Sequence, residues 1–256
     1  MEGDIADLGG QYSIDARGLD HRALALRMRD ALRAGASQLY VYNVCGQRYI
    51  GTGLREAARV DLYGTPGNDL ASFMRGPTIY VHGNAQDGCG NTLDGGTLVI
   101  YGHAGDIVGY SMRGGKIFIR DSVGYRAGIH MKEYKDVRPA IVIGGDVQPF
   151  LGEYMAGGTV IVLRLNAHRH AARQPQSFIG TGMHGGAIYV RGEVAPSQLG
   201  REVAAVPVDD IEADGVADLV REFCGYFGYD AAEVLANPFI KIYPKYLRPY
   251  GRLYAY

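Results

Sequence analysis

The chain has 256 residues, 38 of them glycine, with 26 basic against 27 acidic side chains and 47 % hydrophobic residues. Glycine at about twice its usual share, beside an ordinary apolar fraction, argues for a β-rich, corner-dense fold and against disorder or collagen. A net charge of −1 gives no electrostatic case for nucleic acid or an anionic membrane surface. No apolar run approaches the roughly 18 residues of a membrane span. The acidic start, Met1-Glu-Gly-Asp4, lacks signal-peptide order. Cys45, Cys89 and Cys224 are an odd, scattered set. These features together predict a cytoplasmic protein.

In chain order, Asp20 is a candidate N-cap, Leu24, Met28, Ala31 and Leu32 follow at helical spacing, and Gly35 is a stop signal. Residues 38–43 alternate as a strand and residues 48–50 are expected to continue it. Residues 1–70 therefore form a small α/β N-terminal cap.

A repeat follows. Its unit is Gly-x-x-Met/Leu-x-Gly-Gly and then a short apolar strand. Clear copies are Gly90-Asn-Thr-Leu93-Asp-Gly-Gly96, Gly109-Tyr-Ser-Met112-Arg-Gly-Gly115, Gly152-Glu-Tyr-Met155-Ala-Gly-Gly158 and Gly180-Thr-Gly-Met183-His-Gly-Gly186. Degenerate copies surround Met74 and Met131, so the anchors step by 19, 19, 19, 24 and 28 residues. After each glycine pair, Ile79, Leu98, Ile117, Ile141, Val160 and Ile188 share a strand face with Val81, Ile100, Ile119, Ile143, Val162 and Val190, two residues on. A 19-residue unit cannot bury its own apolar face, but stacked units can. The spacing predicts a mainly β chain, a single-stranded right-handed parallel β-helix of about six to seven coils over residues 71–195, with glycine pairs at its corners. The intervening column, Tyr80, Val99, Phe118, Val142, Ile161 and Tyr189, points outward yet is apolar or aromatic. It predicts that terminal segments or a partner chain cover that face.

Residues 196–256 read as C-terminal helices and an extended tail. Val216, Leu219, Val220, Phe223 and Phe227 are spaced as an amphipathic helix, and Asp230 with Glu233 suits a capping box. The tail holds Tyr246, Tyr250, Tyr254 and Tyr256 among Lys245, Arg248 and Arg252. It reads either as a strap on its own solenoid or as an arm for contact between subunits.

Chemistry is harder to find. Gly109 to Lys116 is not a P-loop, because Ile117 stands where Ser or Thr is required, and Gly51-Thr-Gly53 lacks the third glycine of a dinucleotide fingerprint. The cysteines are too dispersed to seed zinc or iron–sulfur binding. His168-Arg-His170, in the longest insertion, reads as a solvated loop, a basic contact loop or a weak metal site. The charged insertion from Glu133 to Arg138 reads equally as solvated loop or partner contact. Asp87 and Asp106, one period apart, are expected to stack on one edge, their repulsion relieved by solvent or arginine. No catalytic, cofactor-binding or metal-ligating residue is assigned.

The repeated Gly-x-x-Met-x-Gly-Gly-x-Ile-x-Val, clearest over residues 152–163, resembles the C-terminal β-helix of the glutamate synthase large subunit over about residues 70–192. A similar repeat occurs in one of the chains of formylmethanofuran dehydrogenase. The flanks, including residues 14–16 and 43–51, look like free-standing glutamate synthase domain-3 proteins. The resemblance implies a non-catalytic scaffold subunit. Its partners would be a glutamine amidotransferase chain and a synthase chain carrying FMN and an iron–sulfur cluster, with no cofactor here. No catalytic residue carries over, because matching positions are corner glycines and core aliphatics. The other readings are a component of a molybdenum or tungsten formyl-transfer dehydrogenase, or an enzyme with a site between coils. Self-association through the covered face is left open.

Overall fold

A computed structural model describes residues 10–165, 177–213 and 215–246. The strands β1 (Gln11–Asp15), β2 (Gln38–Cys45), β3 (Arg59–Thr65), β4 (Thr78–His82), β5 (Asp94–Ile100), β6 (Gly114–Ile119), β7 (Ala140–Ile143), β8 (Ala156–Val162) and β9 (Gly185–Arg191) pair in parallel, each with the next. The chain is mainly β, a parallel β-solenoid. Its expected interior columns are real: Ile79, Leu98, Ile117, Ile141, Val160 and Ile188 are in register and fully buried. So are Val81, Ile100, Ile119, Ile143, Val162 and Val190.

The ladder starts before the recognisable repeat. Leu39, Val60 and Ile79 continue one column backwards, and Ile14, Val41, Leu62 and Val81 the other. Between β1 and β2 runs α1 (His21–Arg33), occupying the place of a corner; the Asp20 carboxylate accepts the Ala23 N–H at 2.7 Å. At the far end β9 pairs antiparallel with β11 (Phe239–Pro244), which pairs antiparallel with β10 (Val203–Pro207). This reversal ends the coil stack without leaving the last parallel strand bare.

The corners have one backbone design. Left-handed φ values alternate with ordinary ones at 49-51-53, 69-71-73, 88-90-92, 107-109-111, 126-128-130, 150-152-154 and 178-180-182. The residue after the first left-handed one always points inward: Ile50, Leu70, Cys89, Val108, Ala127, Leu151 and Ile179 are all buried. The next inward rung is the anchor, Leu54, Met74, Leu93, Met112, Met131, Met155 and Met183, also buried. Residues 48–50, expected as a strand, instead begin the first corner, with Tyr49 at φ 62°. Corner N–H groups are satisfied between coils, as in Thr92 to the Tyr110 carbonyl at 2.7 Å and Gly109 to the Cys89 carbonyl at 2.8 Å.

The glycine pairs lie one step later than expected. They open the strands, where the ladder shifts register between Asp94 and Thr97 and between Ala156 and Thr159. Gly115 (φ 74°) is left-handed, and a Cβ on Gly114 would stand 2.5 Å from the Asp94 carbonyl oxygen. Coil-to-coil contact, not the turn itself, excludes side chains at Gly114.

The outward apolar column is covered, as its composition predicts. Val99, Phe118, Val142, Ile161 and Tyr189 are buried, and Tyr80 partly buried, beneath Val216, Val220, Phe223 and Cys224 of α2 (Val216–Phe227), Val234 of α3 (Ala231–Leu235) and Phe239. Each fully buried side chain of this size contributes roughly 1.5–3 kcal/mol. Tyr226 packs on Phe118 at 5.1 Å between ring centres, and Lys116 pairs with Glu222 at 2.6 Å. Asp230 caps α3 by accepting the Ala232 and Glu233 N–H groups.

Candidate functional site

α2 covers the outer sheet face from β4 onward, where its Tyr226 meets Tyr80 edge-on at 6.0 Å. On β2, β3 and β4 the same face carries Tyr40 and Tyr42, Asp61 and Tyr63, then Tyr80 and His82. Register places Tyr40, Asp61 and Tyr80 in one column and Tyr63 beside His82 in the next. The rings stack at coil spacing: Tyr42 on Tyr63 at 5.0 Å, Tyr63 on His82 at 4.4 Å and His82 on Tyr101 at 5.3 Å.

Asp61 is the unusual member, a carboxylate only 1 % exposed. Arg59 binds it through Nε at 2.6 Å and through a terminal nitrogen at 2.9 Å, and His82 Nε2 lies 2.8 Å from it. The Arg59 guanidinium in turn lies 4.2 Å from the Tyr80 ring centre. Burial pushes the Asp61 carboxyl up, but the hydrogen bonds from Arg59 and His82 outweigh it and hold the group below the ordinary carboxylate value. A cavity of about 670 Å³ opens beside the ladder, lined by Ser13, Ile14, Asp15, Tyr42, Asn43, Tyr63 and Gly64. It lies at a bulge between Val41 and Val44, where Asn43 is left-handed at φ 58°.

A histidine oriented by a buried carboxylate is an arrangement used in general-base catalysis. Here both faces of the imidazole are occupied by tyrosines, and the guanidinium neutralises the carboxylate. The cluster is a closed polar network that leaves tyrosine surfaces exposed, which suits contact more than proton transfer.

Cys45 is exposed, while Cys89 and Cys224 are buried and lie in separate cores. Burial pushes the Cys89 thiol up to about 12, and it serves as one rung of the corner ladder. Among the described residues no group of three or more His, Cys, Asp or Glu is placed to hold a metal ion. Gly51-Thr-Gly53 is a solenoid corner, and the Gly109 to Lys116 stretch is a corner followed by a strand. Asp87 and Asp106 do stack, but backbone relieves them: Asp87 accepts the Asp106 N–H, and Asp106 the Tyr125 N–H, each at 2.8 Å. In the Glu133 to Arg138 insertion, Tyr134 and Val137 bridge, and Glu133 accepts the Gly158 N–H at 3.0 Å. The His168–His170 loop and the tail beyond Tyr246 lie outside the described residues. No described helix is long and apolar enough to cross a membrane.

The chain is similar to an uncharacterized protein of Methanocaldococcus jannaschii, with 48 % identity over 249 residues, covering 94 % of this chain and 95 % of that one. The model of the GXGXG motif family matches residues 23–250. Glycine, glycine and threonine stand at the three left-handed positions of the corner Gly88-Cys-Gly90-Asn-Thr92. The chain belongs to the GXGXG motif family, the glutamate synthase domain-3 type.

Proposed function

We propose that the chain is a non-catalytic scaffold subunit of a glutamate synthase-like complex. In this reading it holds a glutamine amidotransferase chain and a synthase chain that carries FMN and an iron–sulfur cluster. The observation that carries it is where the repeat puts its side chains. The motif's first glycines, inward aliphatics and Met/Leu anchors all shape or fill the coil. The family motif therefore specifies a form, and what differs between coils is the surface. The tyrosine ladder on β2 and β3, where Tyr42 and Tyr63 are exposed, is one such surface. Three free thiols suit a reducing cytoplasm.

The test is co-purification from the native cell through a tag on this chain, read by the masses of the recovered chains and by flavin and iron–sulfur absorbance. A flavin- and iron–sulfur-bearing chain recovered in fixed stoichiometry is expected. Recovery of this chain alone, or with a pterin-bearing partner instead, overturns the proposal.

A further inference from the structure

The ring stack on the outer face has two ends, and only one is closed. It runs Tyr101, His82, Tyr63, Tyr42, one ring per coil. At one end Phe227 of α2 meets Tyr101 edge-on at 5.2 Å. Within the stack the buried Asp61 carboxylate holds His82 through Nε2 at 2.8 Å, so the rings form a fixed platform. At the other end register sets Asp15 of β1 beside Tyr42. Asp15 carries no ring, and the column stops one ring short at the place where the cavity opens.

That cavity, of about 670 Å³, falls within the roughly 300–1,000 Å³ of small-molecule sites, more than one inserted side chain would fill. Its back wall is tight, because a Cβ on Gly64 would stand 2.1 Å from the Val44 carbonyl oxygen. The Asp15 carboxylate is saturated. Its Oδ1 accepts the Arg17 backbone N–H and the Asn43 side-chain N–H, and its Oδ2 accepts two N–H groups of the Arg17 guanidinium. It has no unanswered charge for a cation, and the cavity lining has no cationic side chain for a phosphate. Asn43 Oδ1 and the Ser13 hydroxyl, also in the lining, have no hydrogen-bond partner among the described residues. The cavity therefore offers a ring face, an acceptor and a hydroxyl. That set suits a flat, neutral ring with an N–H at its edge, stacked on Tyr42 and donating to Asn43.

We infer that this cavity binds a neutral nitrogen heterocycle of nucleobase size, which adds the missing ring to the column. The inference goes beyond the scaffold reading, and either can fail without the other.

The probes are adenosine, guanosine, cytidine and uridine. Each is titrated into the wild-type chain by calorimetry, with saturation-transfer NMR to identify the ligand protons that touch the protein. A purine nucleoside is expected to bind with a Kd of about 1 mM or tighter, its base protons saturated more strongly than its ribose protons. Tyr42→Ala should weaken binding about ten-fold or more. Asn43→Gly, which keeps the left-handed φ, should weaken it about three-fold. Tyr134→Ala, at an exposed ring on the Glu133 to Arg138 insertion, should leave it unchanged. No saturable binding of any of the four nucleosides overturns the site. Wild-type affinity in both Tyr42→Ala and Asn43→Gly overturns its location. Saturation dominated by ribose protons overturns the stacking. A chain that binds no nucleoside but self-associates, and becomes monomeric in Tyr42→Ala, overturns the heterocycle in favour of a second copy at the open end.

Discussion

One sheet face is covered from Tyr80 of β4 to β9 and open along β2 and β3, and the backbone does not explain the difference. Register runs through both halves, and both keep the same interior columns. The outward residues decide. Val99, Phe118, Val142 and Ile161 leave no polar atom to satisfy, so a helix can lie directly on them. Asp61 in the equivalent column is a buried carboxylate that needs polar partners an apolar helix cannot supply, and Arg59 and His82 provide them. A solenoid thus changes the use of one face along its length by changing a single column. The covered half contributes stability, and the open half leaves aromatic surface for contact.

The comparison breaks most visibly at Phe223, the buried centre of the α2 contact. Phe223→Ala should cost about 3–5 kcal/mol in chemical denaturation. A loss under about 1 kcal/mol would mean that the helix is not packed as described.

On the open half, Asp61→Asn should cost less, about 1–2 kcal/mol, because it weakens charge-assisted hydrogen bonds without creating a large cavity. Its sign with pH follows from the lowered carboxyl. The folded value lies below the ordinary 3.8, so the stabilisation is full above that value and is lost as pH falls through the folded one. Wild type should lose stability on acidification below about pH 4 more steeply than Asp61→Asn; parallel acid profiles would show that the network contributes nothing.

The smallest effect should come from Tyr42→Ala, at an exposed ring, within about 0.5 kcal/mol of wild type. A loss as large as that of Phe223→Ala would erase the distinction between the two halves.

Most of the solenoid was legible in sequence because its period survives unchanged for three steps and both interior columns stay aliphatic. The covered face was legible too, since a fully apolar outward column has no other physical outcome. The first coils were hidden because Asp61 interrupts the expected strand signal in β3, and Leu54 with Gly51-Thr-Gly53 makes a corner without methionine. β10 and β11 pair antiparallel and carry no repeat. The Asp61–His82 pair was invisible for a different reason. The two residues are 21 positions apart, and only the coil register brings them to 2.8 Å. The strain at the corners could not be read either, because Phe, Tyr and Arg are not residue types that announce a left-handed φ.

The central claim, that the chain's own C-terminal helix seals the outer face, is tested most directly by thiol labelling of the free chain. Cys224 lies on the buried face of α2, its thiol pushed up by burial, whereas Cys45 is exposed at the end of β2. With maleimide at neutral pH and site-resolved mass spectrometry, Cys45 should be modified promptly. Cys224 should react far more slowly, only as fast as the helix opens. Equal labelling of Cys224 and Cys45 in the folded chain would contradict the account.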